Sequence, residues 1–143
     1  SRAKTMPEEL PERLEAGTLN VPGAAGLAAG MELVERLGTE NIFRRGHSQV
    51  GVCARGLEEL GYRVYSGPHQ AMTLSFRGKG DCEELAAYLG SKGIALRAGL
   101  HCAPLAHESA GTLETGTLRV SFGHEASSLQ TRALLRALRD RRG

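Results

Sequence analysis

Apolar positions in this chain alternate between two periods. From Thr39 to Leu60, the residues Val50, Cys53, Leu57 and Leu60 recur at helical spacing. Tyr62 to Ser66 and Met72 to Phe76 alternate apolar with polar in the strand manner, and Gly67-Pro68 supplies a turn between them. Cys82, Leu85, Ala86 and Leu89 return to one helical face. They follow an Asp81-x-x-Glu84 start that resembles a capping box, and Gly93 ends the helix. Ile94 to Arg97 and Thr117 to Phe122 read as two further strands, and a last helix runs from about Ser127 to Arg139. Ahead of this array, residues 1–23 read as irregular, with Pro7, Pro11, Pro22 and a turn at Glu15-Ala16-Gly17-Thr18. A helix from about Ala24 to Leu37 follows and is stopped by Gly38.

From Thr39 onward the order α-β-β-α-β-β-α predicts an α+β fold, a small, mostly antiparallel sheet with helices on one face. Alternation then makes a sharper statement. If Ile94 and Leu96 face the helices, Arg97 faces away, and if Leu118, Val120 and Phe122 do, Arg119 faces away too. Both arginines then project from the same open side of the sheet.

Glycines complicate two helices. Gly46, Gly51 and Gly56 each cost about 1 kcal/mol against Ala in a helix interior, which suggests a loosened Thr39–Leu60 segment. Gly23, Gly26 and Gly30 leave a bare face suited to a close helix crossing.

Composition narrows the class. A chain of 143 residues suits one ordinary domain and buries roughly 70% of its unfolded surface. With no Trp, 4% aromatic residues and a net charge of +2, it offers neither stacking platforms nor a field for nucleic acid. Arg132, Arg136, Arg139, Arg141 and Arg142 crowd the C-terminus. They suit an anionic partner or a solvated helix face, and Leu134, Leu135 and Leu138 supply the buried face that the second reading needs. No apolar run approaches the roughly 20 residues of a membrane span, and Ser1-Arg2-Ala3-Lys4 lacks a signal-peptide core. Three cysteines make no even disulfide framework, so a reducing, cytoplasmic setting is expected. The start at Ser1, without an initiator methionine, reads as that of a piece of a longer chain.

The chemistry concentrates between Arg97 and Arg119. Cys102 sits in Arg97-Ala-Gly-Leu-His-Cys-Ala-Pro104, a turn-forming context. Near Arg or protonated His a thiol is more readily the reactive thiolate. Three readings stand open at this point. Cys102 is a nucleophile activated by His101 and the arginines, which also hold a substrate carboxylate. Or His101, Cys102 and His107 are metal ligands, although their spacing matches no strong zinc signature. Or the segment is a structural turn in a binding module. Cys53 and Cys82, on apolar stripes, read as packing. Gly17-Thr18 offers an N–H and a hydroxyl to a phosphate.

Three blocks in order, Pro11-Glu-Arg-Leu-Glu-Ala-Gly-Thr-Leu-Asn-Val-Pro-Gly23, Arg97-Ala-Gly-Leu-His-Cys-Ala-Pro-Leu-Ala-His107 and Gly116-Thr-Leu-Arg-Val-Ser-Phe-Gly123, resemble the class V aminotransferase family. The branch they look like is that of the cysteine desulfurases and selenocysteine lyases. The resemblance implies an α/β enzyme of fold type I that depends on pyridoxal 5'-phosphate, of which this chain is the C-terminal part. Residues 1–37 would be the end of the large domain and the connecting helix, and residues 38–143 the small α/β domain. By the same resemblance Cys102 takes sulfur from L-cysteine as a persulfide and alanine is released. Arg119 pairs with the substrate carboxylate, Arg97 and His101 assist in substrate binding, and Gly17 and Thr18 reach the cofactor phosphate of the neighbouring subunit of a homodimer. A sulfur-acceptor protein and the missing N-terminal cofactor domain are the implied partners. The family's lysine, preceded by histidine, has no counterpart among Lys4, Lys79 and Lys92, so the chain alone is expected to be inactive. The alternative is a non-catalytic interaction or dimerisation module of the same shape.

Overall fold

The computed structural model describes residues 5–15 and 17–141. Ser1 to Lys4, Ala16 of the expected turn and Arg142 of the basic C-terminus lie outside the described residues. The chain divides into two compact units, Ser1–Gly38 and Thr39–Gly143.

The first unit holds a short 3-10 helix, Glu12–Leu14, and helix α1, Val21–Leu37. Helix α1 begins three residues before the expected start, because Asn20 caps it by accepting from the Gly23 N–H at 3.0 Å. Pro22 falls in the first turn, where a missing N–H costs nothing, so it starts this helix instead of preventing it. Gly23 has a local role: a Cβ there would run into the Asn20 side chain. Among the described residues no atom lies within 4 Å of a Cβ added at Gly26 or Gly30.

The second unit runs α2 (Thr39–Glu59), β1 (Arg63–Tyr65), β2 (Thr73–Arg77), α3 (Cys82–Ser91), β3 (Arg97–Gly99), α4 (Pro104–Ser109), β4 (Thr117–Ser121) and α5 (Ser128–Asp140). Its four strands form one sheet in the order β1-β2-β4-β3, every neighbouring pair antiparallel. Helices α2, α3 and α5 cover one face, and the core lies between them and the inward side chains Leu74, Phe76, Leu118 and Val120. Val50, Cys53 and Leu57 come from α2, Leu85 and Leu89 from α3, Leu134 and Leu138 from α5. The α+β expectation from residue 39 onward is met.

Three local expectations change. Helix α2 is continuous and not loosened, since Gly46 and Gly56 are its contact points: a Cβ would strike Met72 at the first and Leu135 at the second. Their propensity cost is offset by the close approach of the hairpin and of α5. Strand β3 starts at Arg97 and not at Ile94, because the Ile94 N–H donates to the Leu89 carbonyl at 3.0 Å and closes the end of α3. Helix α4 was not expected at all. Pro104 opens it with its φ already fixed for the helix, so a proline read as part of a turn also ends that turn. The Asp81 cap is present, accepting from the Glu83 and Glu84 N–H groups at 2.6 and 3.1 Å.

Candidate active site

The register places Arg97 directly opposite Arg119 across β3 and β4, and Ser75 opposite Arg119 across β2 and β4. Directly opposed residues share a face. With Leu118 and Val120 buried toward the helices, both guanidinium groups stand on the uncovered side, as alternation required. Arg97 is exposed and Arg119 half-buried. The Arg119 Nε is buried and has no hydrogen-bond partner among the described residues.

At the end of β3 the chain reverses. Ala103 N–H donates to the Leu100 carbonyl at 2.9 Å, and the two residues between, His101 and Cys102, have φ of 53° and 58°. Positive φ at both central positions is the type I′ pattern, which suits Asn and Gly and costs other residues of the order of 1–2 kcal/mol each. Two features hold it. His101 Nε2 lies 3.2 Å from Thr117 Oγ1, which ties the turn to β4. Gly116, at φ 59°, brings its backbone against Gly99, so close that a Cβ would stand 2.9 Å from the Gly99 Cα. Strain of this kind persists only where its surroundings over-determine it.

The consequence is an exposed thiol beside a cation. An Arg97 Nη2 donates to Cys102 Sγ at 3.7 Å. The other cysteines differ in kind. Cys53 is fully buried, and burial pushes its thiol up to about 11. Cys82 is buried with its Sγ donating to the Thr115 carbonyl at 3.3 Å. Both are packing residues, as their stripes indicated.

His101 sits beside Cys102 in the turn, with its Nε2 on Thr117. Burial first, then Arg119, His107 and Arg97, hold its pKa below the ordinary value, against the opposing effect of a hydrogen bond to the Thr117 backbone. The ring anchors the turn through Thr117, and the cation on the sulfur is Arg97. His107 is buried and its Nδ1 lies 2.8 Å from Thr112 Oγ1, so its ring packs beside that of His101 with a nitrogen already engaged. Among the described residues no group of three His, Cys, Asp or Glu could hold a metal ion.

Gly17 and Thr18 are exposed and belong to the first unit. Of the lysines, Lys79 lies in the turn before α3, and Lys92 caps the end of α3 with its ammonium 5.8 Å from the Tyr88 ring. Neither is a residue of the sheet's open face, so the described residues do not complete a site for a pyridoxal ring. They fit one part of such a site: a half-buried arginine with an unpaired Nε is the donor that a substrate carboxylate needs.

Thr117 is the site residue missed in the sequence, and the signal was there. It lies two residues from Arg119 on the same strand, hence on the same face.

Comparison with known proteins gives a consistent result. The model of a family described as Aminotransferase class-V matches residues 2–134. A cysteine desulfurase from Synechococcus elongatus is 35% identical over 133 residues, covering 91% of this chain and 21% of that protein. A probable cysteine desulfurase from Pyrococcus abyssi is 36% identical over 127 residues, covering 85% of this chain and 31% of that protein. The apo structure of a cysteine desulfurase from Thermococcus onnurineus NA1 superposes with a TM-score of 0.83 at 36% identity, covering 91% of this chain and 33% of that one. The chain thus spans between a fifth and a third of the length of these relatives.

Proposed function

Because this chain belongs to the class-V aminotransferase family, we propose that it is the C-terminal part of a cysteine desulfurase, supplying the sulfur-accepting thiol and the carboxylate-binding arginines. The observation that carries the reading is the exposed Cys102 Sγ with the Arg97 guanidinium 3.7 Å away and Arg119 in register beside it. A thiolate next to a fixed cation is the nucleophilic form that sulfur transfer needs. Arg119, half-buried and presenting an unpaired Nε, takes the carboxylate of L-cysteine or a related amino acid and orients it toward the turn. Sulfur passes from the substrate to Cys102, which becomes a persulfide, while the carbon skeleton leaves as alanine.

Pyridoxal 5'-phosphate, bound by the rest of a longer polypeptide, would supply the electron sink for cleaving the carbon–sulfur bond. The similarity of this chain to cysteine desulfurases supports that assignment, and so does the position of Lys79 and Lys92 away from the open face. This chain alone should therefore not turn over. Gly17 and Thr18 keep their proposed place at the cofactor phosphate of a second subunit, and a sulfur-acceptor protein takes the persulfide sulfur. Among the described residues no helix is long and apolar enough to cross a membrane.

The test uses the longer polypeptide with L-cysteine, reading alanine release and a persulfide by mass spectrometry of the tryptic peptide that contains Cys102. Cys102→Ser should abolish the modified peptide, and Arg119→Ala should raise KM for L-cysteine with the fold retained. Normal alanine production driving sulfur onto an acceptor in the Cys102→Ser protein would remove the assigned role.

A further inference from the structure

Four buried side-chain polar atoms lack a hydrogen-bond partner among the described residues: Tyr65 Oη, Arg77 Nε, His101 Nδ1 and Arg119 Nε. Tyr65, Arg77 and Arg119 all stand on the open face of the sheet, since Tyr65 opposes Ser75 and Ser75 opposes Arg119, while Arg77 is two residues along from Ser75. The proposed sulfur transfer uses Arg119 and leaves Tyr65 and Arg77 without a task.

The register adds a second oddity. Arg63 and Arg77 are direct cross-strand partners on that same face. Like charges directly opposite one another are unfavourable in a sheet. Among the described residues neither is ion-paired with an Asp or Glu, and none of the face positions 63, 65, 73, 75, 77, 97, 99, 117, 119 and 121 is acidic. The one ion pair among the described residues is that of His124 with Glu125, elsewhere. The Arg63 guanidinium lies 5.2 Å above the Tyr65 ring, so the ring and two cations surround one patch of the face.

We propose that Arg77, Arg63 and Tyr65 form a second anion site on this face, one that binds a carboxylate separately from the Arg97–Arg119 pair. The guanidinium of Arg77 presents a planar fork whose Nε edge is unpaired, the geometry that takes both oxygens of a carboxylate. The Tyr65 hydroxyl is a further donor, and Arg63 neutralises the remaining charge from the rim. Arg77 and Arg119 are diagonal neighbours on adjacent strands, about 7–8 Å apart. A carboxylate on each can be held at once, side by side, with Ser75 between them.

The test reads binding and not turnover, so its failure leaves the desulfurase reading untouched. Sodium acetate is titrated into the chain at constant ionic strength against chloride, following the arginine Nε–Hε and tyrosine ring resonances by NMR. Saturable shifts at Arg77 and Tyr65 are expected, and they should persist in Arg119→Gln. Tyr65→Phe should keep the fold and weaken acetate binding at Arg77 on the order of ten-fold. Arg77→Gln should abolish the Tyr65 response while that of Arg119 remains. A parallel titration with the doubly blocked glutamate N-acetyl-Glu-N-methylamide asks whether the site prefers a free acid or a protein carboxylate, and saturable binding of either supports it. Shifts at Arg77 that never saturate, or that disappear in Arg119→Gln, would overturn the proposal.

Discussion

Gly116→Ala is the substitution that tests how the turn carrying Cys102 is positioned. Residue 116 has φ 59°, a left-handed conformation that costs a residue with a Cβ about 1–2 kcal/mol. The new methyl would stand 2.9 Å from Gly99 Cα, 3.0 Å from its carbonyl carbon and 3.1 Å from its carbonyl oxygen. All three are backbone atoms of the last residue of β3, which is paired with Thr117 in the sheet, so they cannot swing aside as a flexible side chain would. Relieving such overpacking costs about 1–3 kcal/mol. The two effects together come to about 2–5 kcal/mol, a large share of the roughly 5–15 kcal/mol that holds a domain. Urea denaturation with an unchanged m-value measures the loss. Gly90→Ala is the internal control: Gly90 is in α3, nothing lies within 4 Å of its added methyl, and it should stabilise by about 0.5–1 kcal/mol. A Gly116→Ala protein within 0.5 kcal/mol of the parent would refute the argument that close backbone contact between Gly99 and Gly116 sets the turn.

Thiol accessibility should separate the three cysteines: a disulfide reagent such as DTNB titrates Cys102 at once, while Cys53 and Cys82 react only on unfolding. Fast labelling of the Cys102→Ser protein would contradict the burial of the other two. Below the ordinary histidine range near pH 6.5, the unfolded chain binds a proton that folded His101 resists. Stability should therefore fall as the pH drops from about 6.5 toward the lower folded-state pKa, and His101→Gln should flatten that part of the denaturation profile. Leu74→Ala, which empties a site with no solvent exposure at the centre of the sheet, should cost about 2–5 kcal/mol, whereas Leu105→Ala, at 76% exposure on α4, should fall within about 0.5 kcal/mol of the parent. Equal midpoints for these two variants in thermal melts would mean that the core has been misplaced.

Much of the fold was legible because it is local. The stripe Val50, Cys53, Leu57 has one period and that of β2 another, and a period states which residues share a face without reference to anything distant. The same reasoning put Arg97 and Arg119 on one side of the sheet. Applied to Arg63, Tyr65, Ser75 and Arg77 it would have found the rest of the open face, since both strands were recognised. The errors also had local causes that span a boundary. Ile94 reads as a strand residue although its N–H closes α3, and Pro104 reads as a turn residue although it starts α4.

What the residues alone determined, then, is the alternation of helices and strands and the apolar faces, because each follows from spacing along a few turns of chain. The strand order β1-β2-β4-β3, the opposition of Arg97 to Arg119, the contact of His101 with Thr117, and the need for glycine at 46, 56 and 116 were decided only by the tertiary structure. These depend on which segments meet across tens of residues, and periodicity carries no record of the partner. A glycine in a helix looks like a propensity cost until Met72 or Leu135 is seen to occupy the space a side chain would have taken.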